Sequence, residues 1–381
     1  LLLSGCSSSL PEIHVSKTYT SEDKLLLIDT WLKDLSTQKQ FNGAILIAMN
    51  GRVDLINTYG YSDPARTNPL MLESPFRLAS VSKQFTAMAI MILKERRQIK
   101  FDDPVQKHLP EFPYSDVTIR HLLTHTSGIS EYEKLVLKFK NKWSTRSFYI
   151  TGQSWENRVY KGEPSQYRDS HDILSMKDVL DLVDRLKDER KYPAGEKFKY
   201  SNTGYVLLAY LDEQVSGQSF ESFLDQEIFE PLNMQNSSVW NLNTSPGKLP
   251  NRVQGTNKKK LNDYTWLDGV AGDGAVFVSI EDFINWDRGL ANRTLVSDST
   301  FSEAISPYVT TKGDTSYYGF GWNLSKDGKD MDHTGGWVGA LTYIYINPES
   351  GMLFVLLDSS TNRNMRKIRK TIGDVLAGKL K

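Results

Sequence analysis

The sequence predicts a mixed α/β (α+β) fold: an antiparallel sheet assembled from both ends of the chain, flanked by an N-terminal and a C-terminal helix, with a mainly helical domain inserted between. Three observations predict it. The apolar run 43–49 is followed at once by Asn50-Gly51, a strong two-residue hairpin signal, and by a returning strand over 52–59. Four strand-like runs, 317–324, 330–334, 338–346 and 352–358, crowd the last part of the chain, separated by Asp327-Gly328, Gly335-Gly336 and the turn-forming stretch 347–351. Between these ends, residues 101–260 read as helices and loops. Short connections between consecutive strands imply antiparallel pairing. The expected organisation is therefore a tether over 1–22, a discontinuous sheet domain over 23–100 and 261–381, and a helical domain over 101–260. The active site is expected where the two halves meet.

Each element has its own signal. Leu27, Ile28, Trp31, Leu32 and Leu35 make one apolar face of a helix over 24–36. Phe85, Met88, Ala89 and Ile92 do the same for a buried helix that begins near Ser80. Thr118 is placed as an N-cap before Ile119, Leu122 and Leu123, with Gly128 ending that helix. Residues 131–175 are polar, aromatic and irregular, with Trp143, Phe148, Tyr149, Trp155, Tyr160 and Tyr167; a loop-rich stretch of this length is expected either to line the mouth of a substrate pocket or to be a variable surface insertion. Helices follow over 176–186, 204–215 and 219–229, the last stopped by Pro231, and a basic helix over 363–380 closes the chain.

Composition narrows the function. The 381 residues are 39% hydrophobic and 24% charged, with a formal net charge of zero, so no global field draws in nucleic acid. The single cysteine, Cys6, excludes an internal disulfide and a thiolate metal site. Leu1-Leu2-Leu3-Ser4-Gly5-Cys6 with its serine-rich continuation resembles the tail of a bacterial lipoprotein signal lacking its basic start. That resemblance implies lipidation at Cys6, a membrane anchor and an extracytoplasmic place in the bacterial cell envelope.

Ser80-Val81-Ser82-Lys83 puts a hydroxyl at a helix start with an amine one turn on, a geometry suited to an activated nucleophile. Ser-x-x-Lys alone is weak, since Ser21…Lys24 and Ser245…Lys248 share it. The ordered set is stronger: Ser80…Lys83, then Tyr200-Ser201-Asn202, then His333-Thr334-Gly335. With residues 121–128, 193–205, 227–234 and 269–274, this set resembles the serine β-lactamase and penicillin-binding-protein superfamily, in the branch with class C β-lactamases, D,D-peptidases and esterases.

The resemblance implies roles for individual residues. Ser80 would be acylated, Lys83 and Tyr200 would share its proton, and Tyr200 would later help water attack the acyl-enzyme. Asn202 would bind Lys83 and the substrate carbonyl. The backbone N–H groups of Ser80 and Gly336 would form the oxyanion hole beside Thr334 and Gly335. It implies neither cofactor nor metal, and a small-molecule or cell-wall peptide substrate. One departure bears on substrate. His333 stands where many β-lactamases carry lysine, and an unperturbed imidazole loses its charge between about pH 5.5 and 7.5. Esters are therefore expected to outperform penicillins and D-alanyl peptides, with the gap narrowing toward pH 6.

Rival readings meet specific obstacles. His121 and His125 stand at i, i+4, but Leu122 occupies the glutamate position of His-Glu-x-x-His. No Gly-x-Ser-x-Gly elbow occurs, against an α/β-hydrolase. A non-catalytic cell-wall binding lipoprotein would not need Ser80, Lys83 and Tyr200 together. The cluster of Arg363, Arg366, Lys367, Arg369 and Lys370 is read either as a solvated helix face or as a contact for anionic lipid.

Overall fold

A computed structural model describes residues 10–142, 173–244, 249, 251–257, 260–361 and 364–379. Its centre is a six-stranded antiparallel sheet. We label its strands β1 (Gly43–Met49), β2 (Arg52–Tyr59), β3 (Asn323–Leu324), β4 (Met331–Trp337), β5 (Ala340–Asn347) and β6 (Met352–Asp358). The spatial order is β3-β4-β5-β6-β1-β2, so the N-terminal hairpin adds to the edge of a C-terminal meander. The register runs Ile45↔Leu356 between β1 and β6 and Gly335↔Thr342 between β4 and β5.

Both faces of the sheet are covered, which is why β1 and β6 read as continuous apolar runs rather than alternating ones. On one face, Ile45, Ile47, Phe354 and Leu356 pack under α1 (Ser21–Thr37) and the C-terminal helix Met365–Leu376. On the other, Ala44, Leu46, Val355 and Leu357 join the main core, through which runs α2 (Lys83–Glu95), buried nearly all round. The helical part contributes α3 (Ile119–Leu123), α4 (Tyr132–Lys142), α5 (Met176–Arg185) and α6 (Asn202–Ser216). A small three-stranded sheet, with Val276–Val278 between Phe76–Arg77 and Ser238–Val239, ties the approach to Ser80 to the later part of the chain.

Several local expectations are corrected. Gly335-Gly336 is not a turn but lies inside β4; the turn falls at Val338-Gly339, where Gly339 has φ +61°. Of the strand expected over 317–324, only Asn323–Leu324 is strand. α3 stops at Leu123 rather than at Gly128, although Thr118 does cap it, its hydroxyl accepting from the His121 N–H. The tether expected over 1–22 is packed in part: Val15 is buried, the Trp31 indole donates to the Pro11 carbonyl at 3.1 Å, and Ser21 and Glu22 already belong to α1, while residues 16–20 are exposed. Cys6 and residues 143–172, including all six aromatics named above, lie outside the described residues.

Candidate active site

Ser80 sits in a single 3₁₀ turn, Ala79–Ser82, immediately before α2. It is not a helix N-cap, and the residue before it is strained. Ala79 has φ +49°, a left-handed conformation that L-residues avoid unless the surroundings enforce it. The enforcing contacts come from β4 and β5. Thr342 Oγ1 donates to the Leu78 carbonyl at 2.7 Å. Gly335 lies so close that a Cβ there would come within 2.2 Å of the Leu78 oxygen and 2.1 Å of Thr342 Oγ1. Thus glycine at 335 lets the strand approach the turn carrying Ser80. Side chains alternate along β4: His333 and Gly335 are buried, Thr334 and Gly336 exposed.

A second tie reaches the same place through charge. The guanidinium of Arg77 pairs with Asp268 at 2.5 Å in a buried ion pair, and the Trp337 indole donates to the same Asp268 oxygen at 2.9 Å. One carboxylate thereby joins the residues flanking Ser80 to the end of β4. Removing either partner of such a pair leaves an unpaired buried charge, a loss of about 3–5 kcal/mol.

Lys83 is fully buried. Its Nζ donates to Ser80 Oγ at 3.2 Å, Asn202 Oδ1 at 2.9 Å and the Asp273 carbonyl at 2.8 Å. Three acceptors match the three protons of an ammonium. The same Nζ lies 4.9 Å from the Tyr200 ring centroid and 5.6 Å from that of Tyr205. Tyr200 is half-buried, and its hydroxyl is enclosed without a hydrogen-bond partner. Tyr200 is held from behind by His125, with ring centroids 4.3 Å apart, and Ser201 N–H donates to His125 Nδ1 at 3.1 Å. His125 itself has φ +57° and lies beyond the end of α3, so it shares no helix face with His121. Among the described residues no cluster of His, Cys, Asp or Glu is arranged to hold a metal ion.

His333 is 3% exposed. Its Nδ1 bonds its neighbour Thr334's carbonyl at 2.8 Å, and a carbonyl only accepts, so Nδ1 carries the proton. Nε2 is then the acceptor for the Tyr318 hydroxyl at 3.0 Å. Burial, reinforced by the Lys83 charge and opposed by the Thr334 carbonyl, pushes the imidazole down to about 3. The expectation that His333 gains charge between pH 7.5 and 5.5 is therefore overturned: it is neutral across that whole range.

The sequence did not single out the acidic residues of the site. Asn202 accepts from Lys83, donates through Nδ2 to Glu133 at 2.9 Å, and its backbone N–H donates to Glu131 at 2.9 Å. Burial, with the neighbouring Glu133 charge, raises the Glu131 carboxyl to about 7; burial also raises Asp273 to about 7 against the pull of Lys83. Both glutamates open the stretch 131–175. Asp273 stood within the glycine-containing segment 269–274, a signal for backbone geometry but not for charge. Tyr318 had no local signal at all.

Comparison with known proteins places this arrangement. The family model described as Beta-lactamase matches residues 28–379. The chain belongs to the beta-lactamase family. Like other members of that family it is a serine hydrolase. This beta-lactamase family chain is 31% identical over 375 residues to Penicillin-binding protein 4* of Bacillus subtilis strain 168, a match covering 94% of this chain and 77% of that one. It is 24% identical over 362 residues to a putative penicillin-binding protein of the same organism, covering 93% and 80%. Among solved structures, a penicillin binding protein from Bacillus halodurans superposes with a TM-score of 0.69 at 25% identity, covering 91% and 97%. A D-amino acid amidase from Ochrobactrum anthropi SV3 gives 0.67 at 19% identity, covering 92% and 99%, a likeness of fold.

Proposed function

We propose that Ser80 is the acylated nucleophile of an ester or amide hydrolase that favours acyl donors without a carboxylate, short-chain esters above penicillins and D-alanyl peptides. The observation that carries this reading is His333. At a position where an anionic substrate tail would need a cation, this chain holds a neutral imidazole whose two nitrogens are already engaged by Thr334 and Tyr318. Glu131 and Glu133 beside Asn202 add negative charge to the same site. An anionic acyl donor would lose a charge-assisted hydrogen bond and meet repulsion, whereas a neutral ester would lose nothing comparable.

In this reading Ser80 Oγ attacks the acyl carbonyl and its proton passes to the Lys83 and Tyr200 pair, which enters the step one proton short of ammonium plus phenol. Lys83, whose Nζ reaches Ser80, Asn202 and the Asp273 carbonyl and lies 4.9 Å from the Tyr200 ring centroid, would share that proton with Tyr200. The tetrahedral oxyanion would accept from the backbone N–H groups of Ser80 and Gly336. That proton would then go to the departing alcohol or amine, after which Tyr200 would take a proton from the water that attacks the acyl-enzyme and return it to Ser80 Oγ as the acid is released. Asn202 would hold Lys83 and the acyl carbonyl in register. The enzyme would be tethered to the cell envelope through lipidated Cys6.

The test is a matched pair of aryl esters, acetyl and succinyl, differing by the distal carboxylate. At pH 7.5 kcat/KM is expected to favour the acetyl ester by about tenfold or more. Equal values, or faster turnover of penicillins than of either ester, would reverse the assignment of substrate class.

A further inference from the structure

The outer face of the sheet holds a cavity whose lining includes none of Ser80, Lys83, Tyr200, Asn202 and His333. Its volume is about 650 Å³, on the scale of small-ligand pockets at roughly 300–1,000 Å³. It lies between the first turn of α1 and the last turns of the C-terminal helix Met365–Leu376, over β1, β5 and β6. The floor is apolar, made by Leu25, Ile47, Met49, Met352, Phe354 and Leu376.

The rim is cationic. Lys24, Arg369 and Lys370 line it, and Asp54 is the acid among the lining residues. Asp54 is paired with Arg52 at 2.8 Å, and Lys370 is paired with Asp374 one helical turn on. Among the described residues no carboxylate pairs with Arg369 or Lys24. Arg369 lies 4.2 Å over the Tyr343 ring, and Lys24 donates to the Leu376 carbonyl at 3.3 Å. Apolar depth with unpaired positive charge at the mouth is the complement of an amphiphile with one anionic end.

Gly373 supplies the third observation. It lies inside a helix, where glycine is unfavourable relative to alanine, yet a Cβ added there meets nothing within 4 Å. Steric crowding does not require the glycine. Its effect is to keep the groove open, since a side chain at 373 would enter it.

We propose that this groove binds one long-chain fatty acid, its acyl chain along the apolar floor and its carboxylate against Arg369. The cavity is sized for a single chain rather than for a protein surface, and of the basic residues read near the C-terminus it is Arg369 and Lys370 that line it. The proposal is independent of the substrate assigned to Ser80.

The experiment is equilibrium dialysis of the full chain against labelled tetradecanoate below its micellar concentration, in Ser80→Ala as well as the wild type. Expected is saturable one-to-one binding, equal in both, rising about fourfold per methylene from octanoate to tetradecanoate. Gly373→Leu, which adds helix propensity and should fold at least as well, is expected to weaken binding tenfold or more while ester hydrolysis stays within twofold. Arg369→Gln is expected to weaken tetradecanoate tenfold or more and leave tetradecanol unchanged. The proposal is overturned by absence of saturable binding or by indifference to Gly373→Leu. It is equally overturned by equal affinity for acid and alcohol in the wild type, or by binding to phospholipid vesicles without binding of the monomeric acid.

Discussion

His333→Lys is the substitution that acts most directly on substrate class. In the wild type an imidazole held near a pKa of 3 presents no charge at neutral pH. Lysine there would introduce an ammonium beside the acyl pocket. An anionic donor gains one charge-assisted hydrogen bond, about 1.5–3 kcal/mol, which is roughly ten- to over a hundredfold in relative kcat/KM. The change has a structural cost. Tyr318, 1% exposed, loses the Nε2 that accepts its hydroxyl proton, about 1–3 kcal/mol if nothing replaces it, and the new charge faces Lys83. A lower melting temperature is thus expected together with improved use of anionic donors. The assay is kcat/KM for the acetyl and succinyl esters and acylation by a penicillin, wild type against variant, at pH 6 and pH 8. Any pH dependence of the wild-type ratio in that window belongs to Glu131 and Asp273, which titrate near 7, and should persist in His333→Gln. An unchanged ratio in the folded lysine variant, or loss of the pH dependence in His333→Gln, would refute the charge argument.

Other perturbations separate the remaining parts. Tyr200→Phe removes the orphan hydroxyl and should lower kcat by about 10²–10⁴-fold with little change in melting temperature; steady-state kinetics and a thermal melt check both. Glu131 has a folded-state pKa raised above its usual value, so its contribution to stability is full below about pH 4.5 and is lost as pH rises through 7. Glu131→Gln should remove that loss, at most about 3 kcal/mol, which urea midpoints at pH 5 and pH 8 would reveal as a smaller difference than in the wild type. Cys6→Ser, expressed with a complete signal, should leave the membrane fraction and lack lipid by mass spectrometry; an unmodified Cys6 in membrane-derived protein contradicts the anchor.

Where packing and local chemistry agree, the sequence was legible. The strand over 352–358 was read to the residue because an apolar run sits between turn residues and both sheet faces are covered. The Thr118 cap was legible because its hydroxyl acts three residues away. Gly335-Gly336 misled because glycine signals a turn, whereas here it permits a close approach to Leu78 that is set by non-local packing. Helix α3 was overextended because Gly128 looked like a stop signal, while the chain already leaves helical geometry after Leu123 and carries a left-handed residue at His125. The pair of His333 and Tyr318 was illegible for a different reason. A neutral, tautomer-fixed imidazole depends on burial and on a partner from another loop, and neither leaves a mark in residue spacing.

Ser80, poised by Lys83 and Tyr200, is the residue proposed to form the acyl-enzyme. The measurement that tests it most directly is intact-mass and peptide-mapping mass spectrometry after brief exposure to a neutral aryl ester, trapped by acid quench. Expected is a single acyl adduct on the peptide containing Ser80, absent in Ser80→Ala, whose melting temperature matches the wild type. An adduct on another residue, or retention of most of the hydrolysis by Ser80→Ala, would contradict it.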